Sequence, residues 1–171
     1  HEISGLKINY VSGNGEVTNF GMFRKLSGKI TNVTFSNVSI YVEKHKDGAK
    51  DNCVGTVAGV IAGGEISNVT LNYAYVDNVH YRDVVDSGEY VNSYVGGIAG
   101  LMTSGTISNC SILDGNIRAN AKKCKANADA QAFAGGILGR LDGGKVTGCR
   151  RANSVVVYSY AEQDTGKNSG S

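Results

Sequence analysis

The chain has 171 residues and a formal net charge of +2, from 17 Lys and Arg against 15 Asp and Glu. This near balance lacks the strongly basic character of a nucleic-acid-binding domain, so we expect no nucleic-acid partner. No apolar run approaches the ~18 residues of a membrane-spanning helix, and no membrane insertion is expected. The length fits one domain, and 24 Gly and 9 Tyr without Pro or Trp favour β structure with many tight backbone positions.

A six-residue pattern recurs along the chain: a β-branched apolar residue, Ser or Thr, Asn, an apolar residue, Ser or Thr, and an apolar residue. Clear copies begin at Ile30, Ile66 and Ile107, and degenerate copies begin at Ile3 and Val146. Alternation at a period of two with β-branched residues predicts strands rather than helices.

The third position of this hexad holds only Asn or Gly, the residues that best tolerate positive φ. These residues are Gly5, Asn32, Asn68, Asn109 and Gly148. We therefore predict a left-handed corner between two short strands in every copy. Corners at equivalent positions would coil the strands into a parallel β-helix and align the Asn side chains in a hydrogen-bonded ladder.

A glycine-rich segment and a Gly-bearing turn precede each of the later four hexads. The apolar residues Val57, Ile98 and Ile137 of these segments are expected inside the coil, whereas Arg24 stands where the other copies have Gly. The resulting prediction is an all-β parallel β-helix of about five rungs over residues 1–161, followed by a flexible tail at 162–171.

Two of these units have the most complete pattern. Val95-Gly-Gly-Ile-Ala-Gly-Leu-Met and Ala134-Gly-Gly-Ile-Leu-Gly-Arg-Leu, each followed by a turn and a hexad, resemble the GLUG motif repeat of bacterial surface proteins. That repeat occurs in the non-catalytic N-terminal region of immunoglobulin A-specific metallopeptidases of Gram-positive bacteria and in large adhesin-like proteins. The resemblance implies a secreted or cell-surface module that binds a host protein, such as an immunoglobulin, or positions a neighbouring domain.

Catalysis within this chain is not expected. His1-Glu2 begins the zinc-peptidase motif HExxH without its second His, so the active site of a metallopeptidase parent would lie elsewhere. The cysteines at 53, 110, 124 and 149 lack zinc-ligand spacing, and no cofactor is expected. Two alternatives remain: a purely structural stalk, and a carbohydrate-active β-helix enzyme fragment. The latter needs converging carboxylates, whereas Glu65 and Asp142 are isolated in the sequence.

Three insertions separate the rungs, and binding residues are often on such loops. Residues 43–53 are charged and predict a solvated loop; residues 77–94 are acidic and contain tyrosines; residues 118–134 are basic, Ala-rich and compatible with a short helix. If all three leave the coil at one corner, the acidic and the basic insertion lie side by side and form a side patch. Its candidate binding residues are Tyr81, Arg82, Tyr90, Tyr94, Lys122 and Lys123. The alternative is that these two insertions only neutralise each other and cover the flank of the coil.

Overall fold

The computed structural model describes residues 1–12, 17–44, 51–82, 90–123 and 129–162. Within these ranges the regular structure is entirely β-strand, with no helix. The strands are β1 (Glu2–Ser4), β2 (Lys7–Ser12), β3 (Asn19–Phe20), β4 (Phe23–Leu26), β5 (Lys29–Thr31), β6 (Thr34–Lys44), β7 (Asp51–Gly55), β8 (Ala58–Ser67), β9 (Thr70–Arg82), β10 (Tyr90–Gly96), β11 (Ala99–Ser108), β12 (Ser111–Ile112), β13 (Gly115–Lys123), β14 (Asp129–Gly135), β15 (Leu138–Leu141), β16 (Lys145–Thr147), β17 (Arg150–Arg151) and β18 (Val156–Glu162).

The strands form three parallel sheets around one axis. Sheet A contains β1, β2, β6, β9, β12, β13, β17 and β18; sheet B contains β3, β7, β10 and β14; sheet C contains β4, β5, β8, β11, β15 and β16. The chain passes through B, C and A in turn before the next strand of B, which confirms the predicted parallel β-helix. Three complete turns separate β3 from β14, and only sheet A has five layers. The predicted five rungs are therefore slightly too many.

Aliphatic columns fill the interior. In sheet A the parallel register aligns Ile8, Ile40, Val76, Ile117 and Val157 across five layers. The three central members are fully buried, because a layer covers each of them on both sides. Burial of each such side chain contributes roughly 1.5–3 kcal/mol to the free energy of unfolding.

The corner between sheets C and A is left-handed in every layer that has both sheets. Asn32, Asn68, Asn109 and Gly148 have φ between 52° and 63°. Each of these residues directly follows a strand of sheet C and precedes a strand of sheet A. Only Gly and a few polar residues adopt this conformation at low cost, which explains the restriction to Asn and Gly at the third hexad position.

The prediction that the hexad at Ile3 is equivalent to the later hexads is wrong. Ile3 pairs with Phe35 in sheet A, not with Ile30 in sheet C. Gly5 is left-handed, with φ 71°, but its amide donates to the carbonyl of Ser36, which places it beside Asn37. Gly5 therefore belongs to a second left-handed column, within sheet A, and not to the corner between C and A.

The glycine-rich segments form the corner between sheets B and C, where successive layers come unusually close. A Cβ atom on Gly96 would lie 2.0 Å from the carbonyl oxygen of Ala99 and 2.8 Å from the amide nitrogen of Gly139. Val57 and Ile98 are fully buried, and Ile137 in the last layer is partly buried against the core. Their predicted inward position is confirmed.

Most described residues of the three predicted insertions belong to strands. β6 extends to Lys44, β9 to Arg82 and β13 to Lys123, and the predicted helix in residues 118–134 is wrong for the described part, which is β13 and β14. Small alanines at 119 and 121 face the core and are fully buried, so the Ala-rich composition reflects inward packing. Lys44, predicted to be solvated, is 1% exposed.

The remainder of each insertion, at 45–50, 83–89 and 124–128, lies outside the described residues, as does the predicted tail at 163–171. Glu162, assigned to that tail, is the last residue of β18.

Three of the four cysteines are described, and all three are free thiols. Cys110 is fully buried and Cys149 is partly buried against the core. The amide of Cys110 donates to the Sγ atom of Cys149 at 3.4 Å. Cys53 is 2% exposed within β7, where burial raises the pKa of its thiol to about 12.

Candidate functional site

The outer surface of sheet A gathers aromatic and charged side chains into columns that run across the strands. Side chains alternate inward and outward along each strand, and parallel register places outward residues of neighbouring layers side by side. One column runs from Tyr41 through Asp77 and Arg118 to Tyr158. We call this surface the tyrosine face; its members are Tyr41, Tyr75, Asp77, Tyr81, Arg118, Lys122, Tyr158, Tyr160 and Glu162.

Lys122 lies between two tyrosines of neighbouring strands. Its Nζ atom is 5.4 Å from the ring centroid of Tyr81 and 6.0 Å from that of Tyr160. The same atom is 3.9 Å from a carboxylate oxygen of Glu162. A cation within about 6 Å of an aromatic ring is attracted by its quadrupole, so these contacts orient the two rings against the sheet.

Arg118 and two carboxylates orient Tyr75 and Tyr41. The guanidinium of Arg118 is 6.0 Å from the ring centroid of Tyr75, whose hydroxyl donates to Asp77 at 2.9 Å. Burial, and then this hydrogen bond, raise the pKa of Tyr75. The hydroxyl of Tyr41 donates to Glu43, and that hydrogen bond is the main reason that the pKa of Tyr41 is raised. Both phenols are therefore neutral over the physiological range.

The most accessible part of the tyrosine face is on β18. Tyr158 and Tyr160 are 48% and 40% exposed, and their rings are nearly parallel with centroids 6.5 Å apart. Beside them is a shallow groove of about 330 Å³ lined by Asp77, Arg118, Asn120, Val156 and Tyr158. A flat aromatic pair next to a groove with one anionic and one cationic side chain is suited to contact with another molecule.

A strained residue borders this surface. Tyr73 has φ 65° and its side chain is 45% exposed. Tyr73 aligns with Asn37, so it continues the second left-handed column, in which the two preceding layers have Gly5 and Asn37. A bulky aromatic residue in this conformation costs roughly 1–2 kcal/mol. Backbone strain at a residue whose side chain is exposed points to a role outside folding.

The structure brings four of the six predicted binding residues together on sheet A and places the other two, Tyr90 and Tyr94, on sheet B. Tyr81 pairs with Lys122, and Arg82 pairs with Lys123, so these four are adjacent on β9 and β13. Tyr90 begins β10. The side chains of Arg82, Tyr90 and Lys123 lie outside the described ones.

Tyr94 is far from exposed. It is fully buried on the outer side of sheet B, where its ring stacks on Phe133 with centroids 5.2 Å apart. Arg140 covers the other part of Tyr94, with its guanidinium carbon 5.1 Å from the ring centroid. Tyr94 therefore does not contribute an exposed ring to a side patch.

Sequence reasoning missed four of the five tyrosines of the tyrosine face: Tyr41, Tyr75, Tyr158 and Tyr160. The available signal was the strand that follows each hexad, because Val38-Ser-Ile-Tyr-Val and Val155-Val-Val-Tyr both place Tyr in an outward position. Alignment of these strands by their inward aliphatic residues would have put Tyr41 and Tyr158 in one column.

The described residues offer no cluster of metal-ligating groups. No three His, Cys, Asp or Glu side chains in these ranges approach closely enough to hold a metal ion. Glu65 is 2.9 Å from Lys29, which lowers the pKa of this carboxyl, and Asp142 accepts a hydrogen bond from Arg140 at 2.5 Å. The two acids considered for glycoside hydrolysis are thus each paired with a cation. Nowhere in the described ranges is there a helix that could span a membrane.

Comparison with known proteins adds no relative. A scan against protein-family models, a search of curated proteins and a search of solved structures each returned no match. The class of protein is defined by the fold alone: a parallel β-solenoid with three sheets.

Proposed function

We propose that this chain is a non-catalytic β-solenoid module of a bacterial secreted or surface protein that binds a host protein through the tyrosine face. The parent protein would be immunoglobulin A protease-like or adhesin-like, and the module would also position a neighbouring domain of that parent. One observation carries the binding role: exposed, nearly parallel rings of Tyr158 and Tyr160 lie on a rigid sheet beside Arg118 and Lys122.

The composition of this surface favours a protein ligand. Tyr and Arg are enriched among the residues that dominate protein–protein binding energy, because they bury a large area and also form hydrogen bonds. Here the exposed rings project from β18, the last strand of sheet A, which is paired along its length with β13. A rigid, preorganised surface loses little conformational entropy when it binds.

Charge arrangement supports the same proposal. Cationic Arg118 and Lys122 alternate with anionic Asp77 and Glu162 across the tyrosine face. Mixed charges favour a partner with a complementary pattern over a uniformly charged polymer.

The test is a binding titration of the purified chain against immunoglobulin A, with the double variant Tyr158→Ala/Tyr160→Ala and the control Met22→Ala. Met22 is 42% exposed and belongs to the segment between β3 and β4, outside the tyrosine face. We expect the double variant to lose about 100-fold in affinity and the control to bind like the unmodified chain. Absence of binding by the unmodified chain would favour a structural stalk, and equal binding by all three would place the interface elsewhere.

A further inference from the structure

A second surface, independent of the tyrosine face, has the features of a small-ligand site. It is a polar groove of about 280 Å³ on the outer side of sheets B and C, close to the lower end of the volumes of ligand pockets. Asp51, Asn92 and Gln131 form one of its walls, as register partners on β7, β10 and β14. Tyr94, Arg140 and Asp142 complete its polar lining.

The Arg140 side chain is held in place by two neighbours. Its Nη1 donates to the hydroxyl of Tyr94 at 2.5 Å, and its Nε donates to Asp142 at 2.5 Å. These hydrogen bonds raise the pKa of Arg140, with the bond to Asp142 as the larger cause. Because Asp142 balances the arginine charge and Asp51 adds a negative charge, the groove does not favour an anionic ligand.

Asn92 has a polar atom without a hydrogen-bond partner among the described residues, which points to a ligand for this groove. The residue is 5% exposed, and its Nδ2 donates to Asp51 at 2.7 Å. Its Oδ1 atom is buried and accepts no hydrogen bond from the described residues. A buried acceptor without a donor is unfavourable. Because Asn92 lines the groove, an O–H or N–H group of a ligand bound there is the available donor.

The arrangement of the acceptors indicates the type of donor. Asp51, Asn92 and Gln131 repeat at the spacing of parallel strands, about 4.8 Å, and so offer one carboxylate and two amides in a row. Leu101 adds an apolar contact on the sheet C side. A ligand with several hydroxyl groups and an apolar C–H face satisfies both features.

We infer that this groove binds a neutral sugar unit, with sugar hydroxyls that donate to Asn92 Oδ1 and the Asp51 carboxylate, and with Gln131 as a further polar partner. The site is one of recognition. It does not depend on the tyrosine face, which is made of different strands and residues.

The experiment is a titration monitored by saturation-transfer difference NMR. The probes are methyl β-galactopyranoside, methyl α-mannopyranoside and N-acetylglucosamine, with glucuronate as the anionic comparison. We expect millimolar binding of at least one neutral sugar, weaker by about tenfold in Asn92→Ala and in Gln131→Ala. The matched control Asn72→Ala removes an exposed amide of sheet A outside the groove and should bind like the unmodified chain.

Gln131 is exposed, so its variant decides the result if Asn92→Ala does not fold. The proposal is overturned if no neutral sugar binds. It is also overturned if glucuronate binds more tightly than every neutral sugar, or if Gln131→Ala leaves the affinity unchanged. Normal sugar binding by Tyr158→Ala/Tyr160→Ala separates this site from the proposed function.

Discussion

The Nδ2 group of Asn68 donates a hydrogen bond to Oδ1 of Asn32, 3.1 Å away in the neighbouring layer. Backbone bonds continue the same corner: the amides of Asn32, Asn68 and Asn109 donate to the carbonyls of Ser67, Ser108 and Thr147 respectively. The corner between sheets C and A therefore combines a left-handed backbone with contacts between layers. Asn fulfils both requirements, and Gly fulfils only the first.

Substitutions at Asn68 separate the two contributions. Asn68→Gly keeps the left-handed conformation at φ 54° and loses the side-chain bond, whereas Asn68→Val loses both. We expect Val to lower the free energy of unfolding by about 1–3 kcal/mol and Gly by about 1 kcal/mol or less. Urea denaturation of both variants gives these values. A Val variant as stable as the unmodified chain would contradict the importance of the left-handed corner.

A part of the fold is predictable from the sequence when few residue types are accepted at its key positions. The corner at Asn32, Asn68 and Asn109 was predictable because few residue types accept positive φ. The same signal led to the misalignment of Ile3, because the fold has two left-handed columns. Gly5 satisfies either column, and only the pairing of Ile3 with Phe35 distinguishes them.

The sequence predicts loops at the ends of the long strands of sheet A because apolar and polar residues do not alternate there. Inward Asn78 and His80 on β9 are both buried polar residues, so residues 77–82 contain few of the apolar side chains that identify a strand. The tyrosine face was therefore only partly predictable. One of its columns connects Tyr41 with Tyr158 through Asp77 and Arg118 on the two strands between them. These residues are far apart in the sequence, so the column is visible only when the register is known.

Close packing of layers at the corner between sheets B and C predicts a strong effect of Gly96→Ala. A Cβ at this position would lie 2.0 Å from the carbonyl oxygen of Ala99 in the same layer and 2.8 Å from the amide nitrogen of Gly139 in the next layer, so the backbone of the corner must shift. We expect the free energy of unfolding to fall by about 1–3 kcal/mol. The matched control is Gly28→Ala, where a Cβ meets no atom within 4 Å.

In Gly28→Ala the smaller entropy of the unfolded chain should leave stability unchanged or raise it by up to about 1 kcal/mol. Thermal denaturation of the two variants side by side measures the difference. Equal melting temperatures would show that the corner accepts a Cβ at Gly96 without a costly shift.

Relief of strain at Tyr73 predicts a stabilising substitution. Asn37, the register neighbour, has φ 55°, so Tyr73→Asn places a residue that tolerates the left-handed region where Tyr has φ 65°. Because the Tyr73 side chain is already 45% exposed, little burial is lost. We expect a gain of about 1 kcal/mol and a rise of about 2–4 °C in Tm.

Calorimetry of Tyr73→Asn beside Tyr75→Asn tests this explanation. Tyr75 has no positive φ and donates a hydrogen bond to Asp77, so its replacement should not stabilise the chain. An unchanged or lower Tm for Tyr73→Asn would mean that the tyrosine is not strained at this position.

Alkaline pH is expected to destabilise the fold through the buried thiol of Cys53. Burial raises its pKa from 9.0 to about 12, so the neutral thiol is favoured in the folded state. A raised pKa gives a stabilising contribution that is complete below pH 9.0 and is lost as the pH rises towards about 12, because the unfolded chain ionises first. Between pH 9 and about pH 11 the loss amounts to about 2 kcal/mol.

The measurement is urea denaturation of the unmodified chain and of Cys53→Ala at several pH values up to about 11. Below pH 9.0 the two stabilities should differ by a constant amount. Above it the unmodified chain should lose stability more steeply. Cys110→Ala should show the same behaviour over a narrower range, because burial raises the Cys110 pKa to about 11. Parallel pH profiles for the unmodified chain and Cys53→Ala would exclude ionisation of this thiol as a source of alkaline unfolding.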